Sequence, residues 1–133
     1  MSRRALREQL FKLLFRVEFN SVEEMNEQCS LFFEDSENQA AEKDMDYLQG
    51  KLDQILEHLT EIDNLINEKA KGWTTARMSK VDLTIIRLAV YEILYDESVP
   101  AGVAINEAVE LAKKFGQDES YGFVNGILAK FAE

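Results

Sequence analysis

The stretch from Val81 to Tyr95 constrains the fold of this chain more than any other. It reads VDLTIIRLAVYEILY, and its eleven apolar residues in fifteen point in every direction around a helix axis. A β-strand of this length without a turn signal would be unusual. The stretch therefore predicts a central helix that is buried on nearly all sides, and with it an all-α domain.

The residues before this helix predict three further helices. We expect helix one at about Arg3–Phe19, and a capping box at residues 21–24 that opens helix two. A long third helix is expected from about Gln39 to Lys71, because apolar residues recur there in a seven-residue repeat. These residues are Met45, Leu48, Leu52, Ile55, Leu59, Ile62 and Ile66. Such a seam is typical of a helix packed in a bundle, and a dimerisation helix is the alternative.

Turn signals divide the second half of the chain. Gly72 ends the third helix, Trp73 anchors the turn, and residues 79–82 cap the central helix. Helix five is expected at Val103–Phe115, with Gly116 just beyond its end. Helix six contains two glycines at spacing i, i+4, which predict a close approach of helix backbones. These glycines are Gly122 and Gly126.

Length, cysteine content and hydropathy define the class of protein. A chain of 133 residues suits one domain over residues 1–133. The one cysteine, Cys29, follows the apolar spacing of helix two, so we expect a core residue in a reducing cytoplasm. The first residues lack a signal-peptide pattern, and no run approaches about 18 apolar residues. We therefore expect a cytoplasmic protein without a membrane span.

Charge is distributed unevenly along the chain. The net charge is −10, which argues against a general nucleic-acid binder. Residues 1–16, however, hold five basic residues and one acidic residue, so a local basic patch lies on an acidic body. Arg3, Arg4 and Arg7 fall in the first turns of helix one, where the helix dipole favours acids. Their positive charge indicates an anion-binding site, and a solvated polar face is the alternative.

The sequence contains no recognisable catalytic or metal-binding pattern. The single histidine, His58, lies far from the single cysteine and suggests neither a dyad nor a zinc cluster. The glycines form no phosphate-binding loop motif, and most carboxylates fall on predicted solvated faces. We therefore expect no enzyme activity, no catalytic residue, no metal and no cofactor. Binding remains, because arginines hold phosphates and aromatic rings stack on the bases of single-stranded RNA.

Four segments of the chain carry a resemblance to a known family. They are SRRALREQLFKLLF at residues 2–15, KVDLTIIRLAVYEILY at 80–95, VPAGVAINEAVELAKKFG at 99–116 and ESYGFVNGILAKF at 119–131. Together, at this spacing, they resemble the NusB family of bacterial transcription antitermination factors. The resemblance implies an all-α fold of two three-helix bundles packed at an angle, without a cofactor. Four polar residues also match the family pattern, and we interpret them as a buried network between the central helix and helix five. These are Arg87, Glu92, Asn106 and Glu107.

The resemblance also implies a function in ribosomal RNA transcription. It implies binding to the single-stranded boxA element of ribosomal RNA leader transcripts, as a heterodimer with NusE, a small-subunit ribosomal protein. That pair would join other Nus factors on RNA polymerase, so that ribosomal RNA synthesis resists termination. NusE would dock on the C-terminal bundle, near the central helix and helix five. Whether the free chain forms a homodimer is left open by the sequence.

Two groups of residues match the RNA-binding side of the family. The first consists of the three arginines of helix one, and the second is the segment from Gln117 to Phe123. Two acidic residues in the second group would accept hydrogen bonds from base amino groups or 2′-hydroxyls, because carboxylates cannot pair with phosphate. The predicted RNA-binding residues are Arg3, Arg4, Arg7, Gln117, Asp118, Glu119, Tyr121 and Phe123.

Two other functions compete with this interpretation. A helical interaction or dimerisation module without RNA affinity would suit the net charge of −10 and the apolar seam. An RNA-recruiting fragment of a ribosomal RNA cytosine methyltransferase would share the fold but belong to an enzyme. Binding of boxA-like RNA separates the first alternative from an antitermination factor.

Overall fold

The computed structural model describes residues 1–35 and 41–132, and within them the chain forms seven α-helices and no β-strand. The helices are α1 (Arg3–Phe15), α2 (Met25–Glu34), α3 (Glu42–Glu57), α4 (Leu59–Lys69), α5 (Lys80–Tyr95), α6 (Ala101–Phe115) and α7 (Ser120–Ala129). The all-α prediction is confirmed. None of the helices in these residues is long and apolar enough to cross a lipid bilayer.

The chain divides into two compact units, Met1–Glu57 and His58–Glu133. The N-terminal unit contains α1 to α3, and the C-terminal unit contains α4 to α7. The expectation of one domain over residues 1–133 stays a prediction, which the cooperativity of unfolding would test.

Helix α1 is shorter than predicted. It begins after Ser2, whose hydroxyl accepts a hydrogen bond from the backbone N–H of Ala5 at 3.1 Å. It ends at Phe15 and continues as a 3₁₀ turn at Arg16–Glu18, so the expected end at Phe19 is wrong for the α-helix. The side-chain amide of Asn20 donates to the carbonyl of Arg16 at 2.9 Å, and this local bond satisfies a carbonyl at the end of the helix.

The predicted capping box is present before α2. The Glu24 carboxylate accepts hydrogen bonds from the Ser21 backbone N–H at 3.0 Å and from the Ser21 hydroxyl at 2.8 Å. These bonds lower the pKa of Glu24. A 3₁₀ turn at Val22–Glu24 leads from the box into α2.

The core of the N-terminal unit is built from all three of its helices. Cys29 on α2 is 1% exposed, which confirms its prediction as a core residue. Burial raises the pKa of its thiol to about 11, and the nearby Asp53 carboxylate acts in the same direction. The other buried apolar residues of this unit are Leu10, Phe11, Leu13, Leu14, Met25, Phe32, Leu48, Leu52 and Ile55.

The predicted long third helix is broken at His58, so the single helix expected from Gln39 to Lys71 is wrong. Helix α3 ends at Glu57 and α4 begins at Leu59, and His58 between them has φ −100° and ψ 5°. The expected start at Gln39 lies outside the described residues. The apolar seam continues through the break because a single non-helical residue scarcely changes the spacing. The buried residues of the seam lie in two different units. Leu48, Leu52 and Ile55 belong to the N-terminal unit, and Ile62 and Ile66 belong to the C-terminal unit.

His58 is held by an aromatic contact within the C-terminal unit. Its ring stacks on Tyr95 of α5 with centroids 4.0 Å apart, and its side chain is 33% exposed. Desolvation and then a hydrogen bond with Glu61 raise the pKa of Tyr95 to about 12. His58 therefore packs against Tyr95, whereas its position outside the apolar seam had suggested a solvent-facing residue.

Helix α5 is the centre of the C-terminal unit, as predicted. Ten consecutive residues, 83–92, are buried, and the Ser79 hydroxyl caps the helix by accepting from the Asp82 backbone N–H at 3.1 Å. Arg87 on this helix donates from Nε and Nη2 to the two carboxylate oxygens of Asp63 on α4, each at 2.8 Å. The sequence did not single out Asp63, and Asn106, which it placed in the same network, is exposed. The carboxylate that pairs with the buried Arg87 is thus that of the half-buried Asp63 on α4.

Candidate nucleic-acid interface

The arginine patch, which consists of Arg3, Arg4 and Arg7, occupies the first turns of α1. Arg3 and Arg4 are exposed and Arg7 is half-buried. The first turn contains no acidic residue, and the basic side chains therefore add to the partial positive charge of the helix N-terminus. This is an arrangement that attracts anions, and guanidinium groups bind phosphate through paired hydrogen bonds.

The chain before α1 is fixed by two hydrogen bonds, one within the helix start and one to α3. The Ser2 hydroxyl caps the helix, and the Met1 ammonium donates to Asp44 Oδ2 on α3 at 3.2 Å. Asp44 is 7% exposed, so this ion pair is partly shielded from water. The helix start that carries the arginine patch is consequently well positioned within the N-terminal unit.

The second predicted group lies on the α6–α7 turn, residues 116–119, and on the first residues of α7. Gln117, Asp118 and Glu119 are exposed, while Ser120 is 3% exposed. The Ser120 hydroxyl accepts a hydrogen bond from the Gln117 backbone N–H at 2.9 Å. Ser120 therefore stabilises the turn from inside, and the three exposed side chains point away from the core. Their amide and carboxylate oxygens are available as hydrogen-bond acceptors.

Gly116 is required in this turn because there is no room for a side chain. A Cβ at this position would lie 2.5 Å from Ser120 Cβ, 2.6 Å from Ser120 Oγ and 2.8 Å from the Ala112 carbonyl oxygen. Gly116 follows the last residue of α6, as expected, and its φ of −91° is not in the left-handed region. The glycine permits the close contact that shapes the turn.

The glycines of α7 have a different setting. A Cβ on Gly122 or Gly126 would meet no atom within 4 Å. The prediction that these two residues allow a close approach of backbones is therefore wrong for this chain. They lie on the exposed side of the helix, whereas Val124, Ile127 and Leu128 fill the core as expected.

The two predicted aromatic residues differ in exposure. Tyr121 is 49% exposed, and Lys113 Nζ lies 5.7 Å from its ring centroid. Phe123 is half-buried and meets the ring of Trp73 edge to face, with centroids 5.2 Å apart and an interplanar angle of 70°. Tyr121 is thus accessible for stacking, and Phe123 forms part of a larger aromatic contact.

That contact brings in two residues that the sequence did not predict as RNA-binding, Trp73 and Arg77. Trp73 is 44% exposed, and the Arg77 guanidinium carbon lies 5.3 Å from its ring centroid. Nη1 of Arg77 also donates to the Gly72 carbonyl at 3.1 Å. The sequence signal that could have indicated Trp73 and Arg77 is the aromatic and basic composition of GWTTAR at residues 72–77. This segment has no helical periodicity.

The predicted site residues therefore fall into two groups on two units. The arginine patch belongs to the N-terminal unit, and the α6–α7 turn, Tyr121 and Phe123 belong to the C-terminal unit together with Trp73. Across residues 1–35 and 41–132, no three histidine, cysteine, aspartate or glutamate side chains are grouped so as to hold a metal ion.

Fold and surface together define an all-α protein with basic and aromatic groups suited to contacts with phosphates and bases. The family model that matches this chain is that of the NusB family, over residues 4–133. The chain belongs to the NusB family, and the resemblance seen in its sequence is confirmed.

Curated relatives match over nearly the whole chain. The transcription antitermination protein NusB of Agathobacter rectalis is 54% identical, over 99% of this chain and 100% of its own length. The transcription antitermination protein NusB of Lachnoclostridium phytofermentans is 52% identical, over 98% of each chain.

Solved structures share the fold. NusB of T. maritima is 35% identical with a TM-score of 0.83, over 99% of this chain and 91% of that one. A crystal structure of the antitermination factors NusB and NusE in complex with double-stranded RNA matches at 25% identity and a TM-score of 0.78, over 98% of this chain and 95% of that one.

Proposed function

We propose that this protein is a transcription antitermination factor that binds RNA together with NusE and keeps RNA polymerase processive on ribosomal RNA genes. The proposed target is the boxA element of the leader transcript, in single-stranded form. The observation that carries the proposal is the arginine patch, on a chain 54% identical to a transcription antitermination protein over its full length. The related NusB–NusE complex with RNA supports the choice of partners.

The two groups of residues would make different contacts with RNA. The arginine patch would neutralise phosphates, which fixes the strand but carries no sequence information. The exposed Gln117, Asp118 and Glu119 would accept hydrogen bonds from base amino groups or 2′-hydroxyls, and Tyr121 and Phe123 would stack on unpaired bases. Sequence preference would therefore arise on the C-terminal unit.

NusE is the proposed protein partner, on the C-terminal unit near α5 and α6. Ribosomal proteins are commonly basic, and this chain carries a net charge of −10 although its first 16 residues are basic. Opposite charge would speed the encounter of the two proteins, and the pair would then join other Nus factors on RNA polymerase in the cytoplasm.

A titration with labelled RNA tests the proposal. Three RNAs are compared, with and without NusE: a boxA-like single strand, a scrambled strand of the same composition, and a duplex that contains the boxA-like strand. We expect the boxA-like strand to bind most tightly, and NusE to strengthen that binding. Equal affinity for the boxA-like and scrambled strands, or no binding with NusE present, would contradict the proposal, and tightest binding by the duplex would contradict the single-stranded target.

A further inference from the structure

We propose that Trp73 and Arg77, which were not predicted from the sequence, form a stacking site for an unpaired RNA base together with the predicted residue Phe123. We call these three residues the Trp73 site. The inference rests on the proposed RNA-binding function and adds to it a site on the segment between α4 and α5.

The exposure of Trp73 is the first observation. A tryptophan that only fills a core would be buried, whereas this residue is 44% exposed. The Trp73 ring meets the Phe123 ring edge to face at 5.2 Å and the Arg77 guanidinium at 5.3 Å. A large aromatic surface thus remains open beside a positive charge. This is the combination that single-stranded nucleic acids use, since the base stacks on the ring and the phosphate meets the cation.

The position of the Trp73 ring is fixed before any ligand arrives. The Trp73 backbone N–H donates to the Ala70 carbonyl at 2.8 Å, and Gly72 before it adopts φ 84°. The Thr75 backbone N–H donates to Asn67 Oδ1 at 2.7 Å, which ties the following 3₁₀ turn to α4. Stacking of a base on Trp73 therefore requires little additional ordering of the protein, which favours affinity.

Arg77 gives the site both charge and position. One guanidinium nitrogen donates to the Gly72 carbonyl, and the group lies over the Trp73 ring, so the side chain is oriented by two contacts. A guanidinium has five N–H donors, and this one retains donors beyond the described bond. We infer that a base lies on the exposed part of the Trp73 ring while its phosphate accepts from Arg77.

Trp73 is the only tryptophan of the chain, so its fluorescence reports on this site alone. The wild-type protein is titrated with the boxA-like strand while binding is followed independently by the anisotropy of a label on the RNA. We expect saturable quenching of Trp73 with the same Kd as the anisotropy. We also expect the ring to become less accessible to acrylamide at saturation.

Two variants distinguish stacking from a purely structural role. Trp73→Ala should weaken RNA binding at least about fivefold, the lower end of what base stacking contributes. Trp73→Phe keeps a stacking surface and should recover most of that loss. In both variants the dependence of binding on salt should match the wild type, because no phosphate contact is removed. Circular dichroism shows whether Trp73→Ala is folded, and the wild-type acrylamide experiment does not depend on that variant.

The outcomes separate this inference from the proposed function. If RNA binds by anisotropy while Trp73 fluorescence and acrylamide accessibility stay unchanged, the Trp73 site is wrong and the proposed function stands. The same holds if folded Trp73→Ala binds like the wild type. If no RNA binds at all, with or without NusE, the proposed function fails and this inference fails with it.

Discussion

The arginine patch and the Trp73 site differ in how their side chains are packed. Arg3 and Arg4 are exposed on the first turn of α1, at the surface of the N-terminal unit. Trp73 and Phe123 pack on each other, and the backbone beside Trp73 is fixed by hydrogen bonds to α4 and its end. The comparison teaches that the patch can be changed with little effect on stability, whereas changes near the Trp73 site need controls for folding.

The two regions should also respond differently to salt. Contacts between arginine and phosphate release counterions, so their contribution falls as the salt concentration rises. Base stacking on an aromatic ring involves no ion pair and depends on the contact area of the rings. Salt dependence therefore separates phosphate contacts, which include the one proposed for Arg77, from base stacking on Trp73.

The largest effect is expected on stability, from Gly116→Ala in the α6–α7 turn. The new methyl group would lie 2.5 Å from Ser120 Cβ and 2.8 Å from a backbone oxygen, so the turn must shift. We expect the free energy of unfolding to fall by about 1–3 kcal/mol, measured by urea denaturation. Should Gly116→Ala be as stable as the wild type, the tight packing of this region would be refuted.

Gly126→Ala is the matched control for that variant. Its new methyl group meets nothing within 4 Å, and alanine favours the helix over glycine. We expect stability to rise by up to about 1 kcal/mol. The substitution of glycine by alanine should thus lower the free energy of unfolding at Gly116 and raise it at Gly126, although both lie in the same unit.

The next effect is on RNA binding, when Arg3, Arg4 and Arg7 are all replaced by alanine. Three phosphate contacts correspond to a slope of about −2 in a plot of log affinity against log salt concentration for a single strand. The triple variant should lose most of that slope and bind about tenfold more weakly at low salt, with stability within about 0.5 kcal/mol of the wild type.

The corresponding triple lysine variant tests the role of charge. Lysine keeps the positive charge but loses the paired hydrogen bonds of arginine, so the slope should persist while affinity falls slightly. An alanine variant that retains the full salt slope would show that the phosphates are bound elsewhere.

Local signals made much of the fold predictable. The caps at Ser21 and Ser79 depend on residues three positions apart, and both are present as predicted. The burial of α5 was also predictable, because apolar residues all around a helix can be recognised from the spacing within one segment. The break at His58 escaped detection because apolar spacing continues through a single non-helical residue.

The features that were missed depend on contacts between distant parts of the chain. The space around Gly116 is limited by Ser120 and Ala112, and nothing in the spacing of glycines distinguishes it from Gly126. Trp73 and Phe123 are fifty positions apart, and only the folded C-terminal unit brings their rings together. The arginine patch was predictable because three like charges at a helix start need no tertiary contact to form a surface.

The smallest effect in the comparison is expected at Tyr121, and Tyr47 provides an unusually close control. Both side chains are about half exposed, at 49% and 46%, and each has a lysine amino group near its ring, at 5.7 Å and 5.6 Å. Tyr121 belongs to the predicted RNA-binding residues of the C-terminal unit, whereas Tyr47 lies on α3 of the N-terminal unit.

We expect Tyr121→Ala to weaken binding of the boxA-like strand about fivefold, because the stacking of one base is lost. The salt slope should not change, because no phosphate contact is removed. Tyr47→Ala should leave binding unchanged, since it removes an equally exposed ring from a surface without predicted contacts. Equal losses in the two variants would mean that exposed aromatic rings bind RNA without regard to position. In that case the proposal that most phosphate contacts lie on the N-terminal unit and base stacking on the C-terminal unit would have to be abandoned.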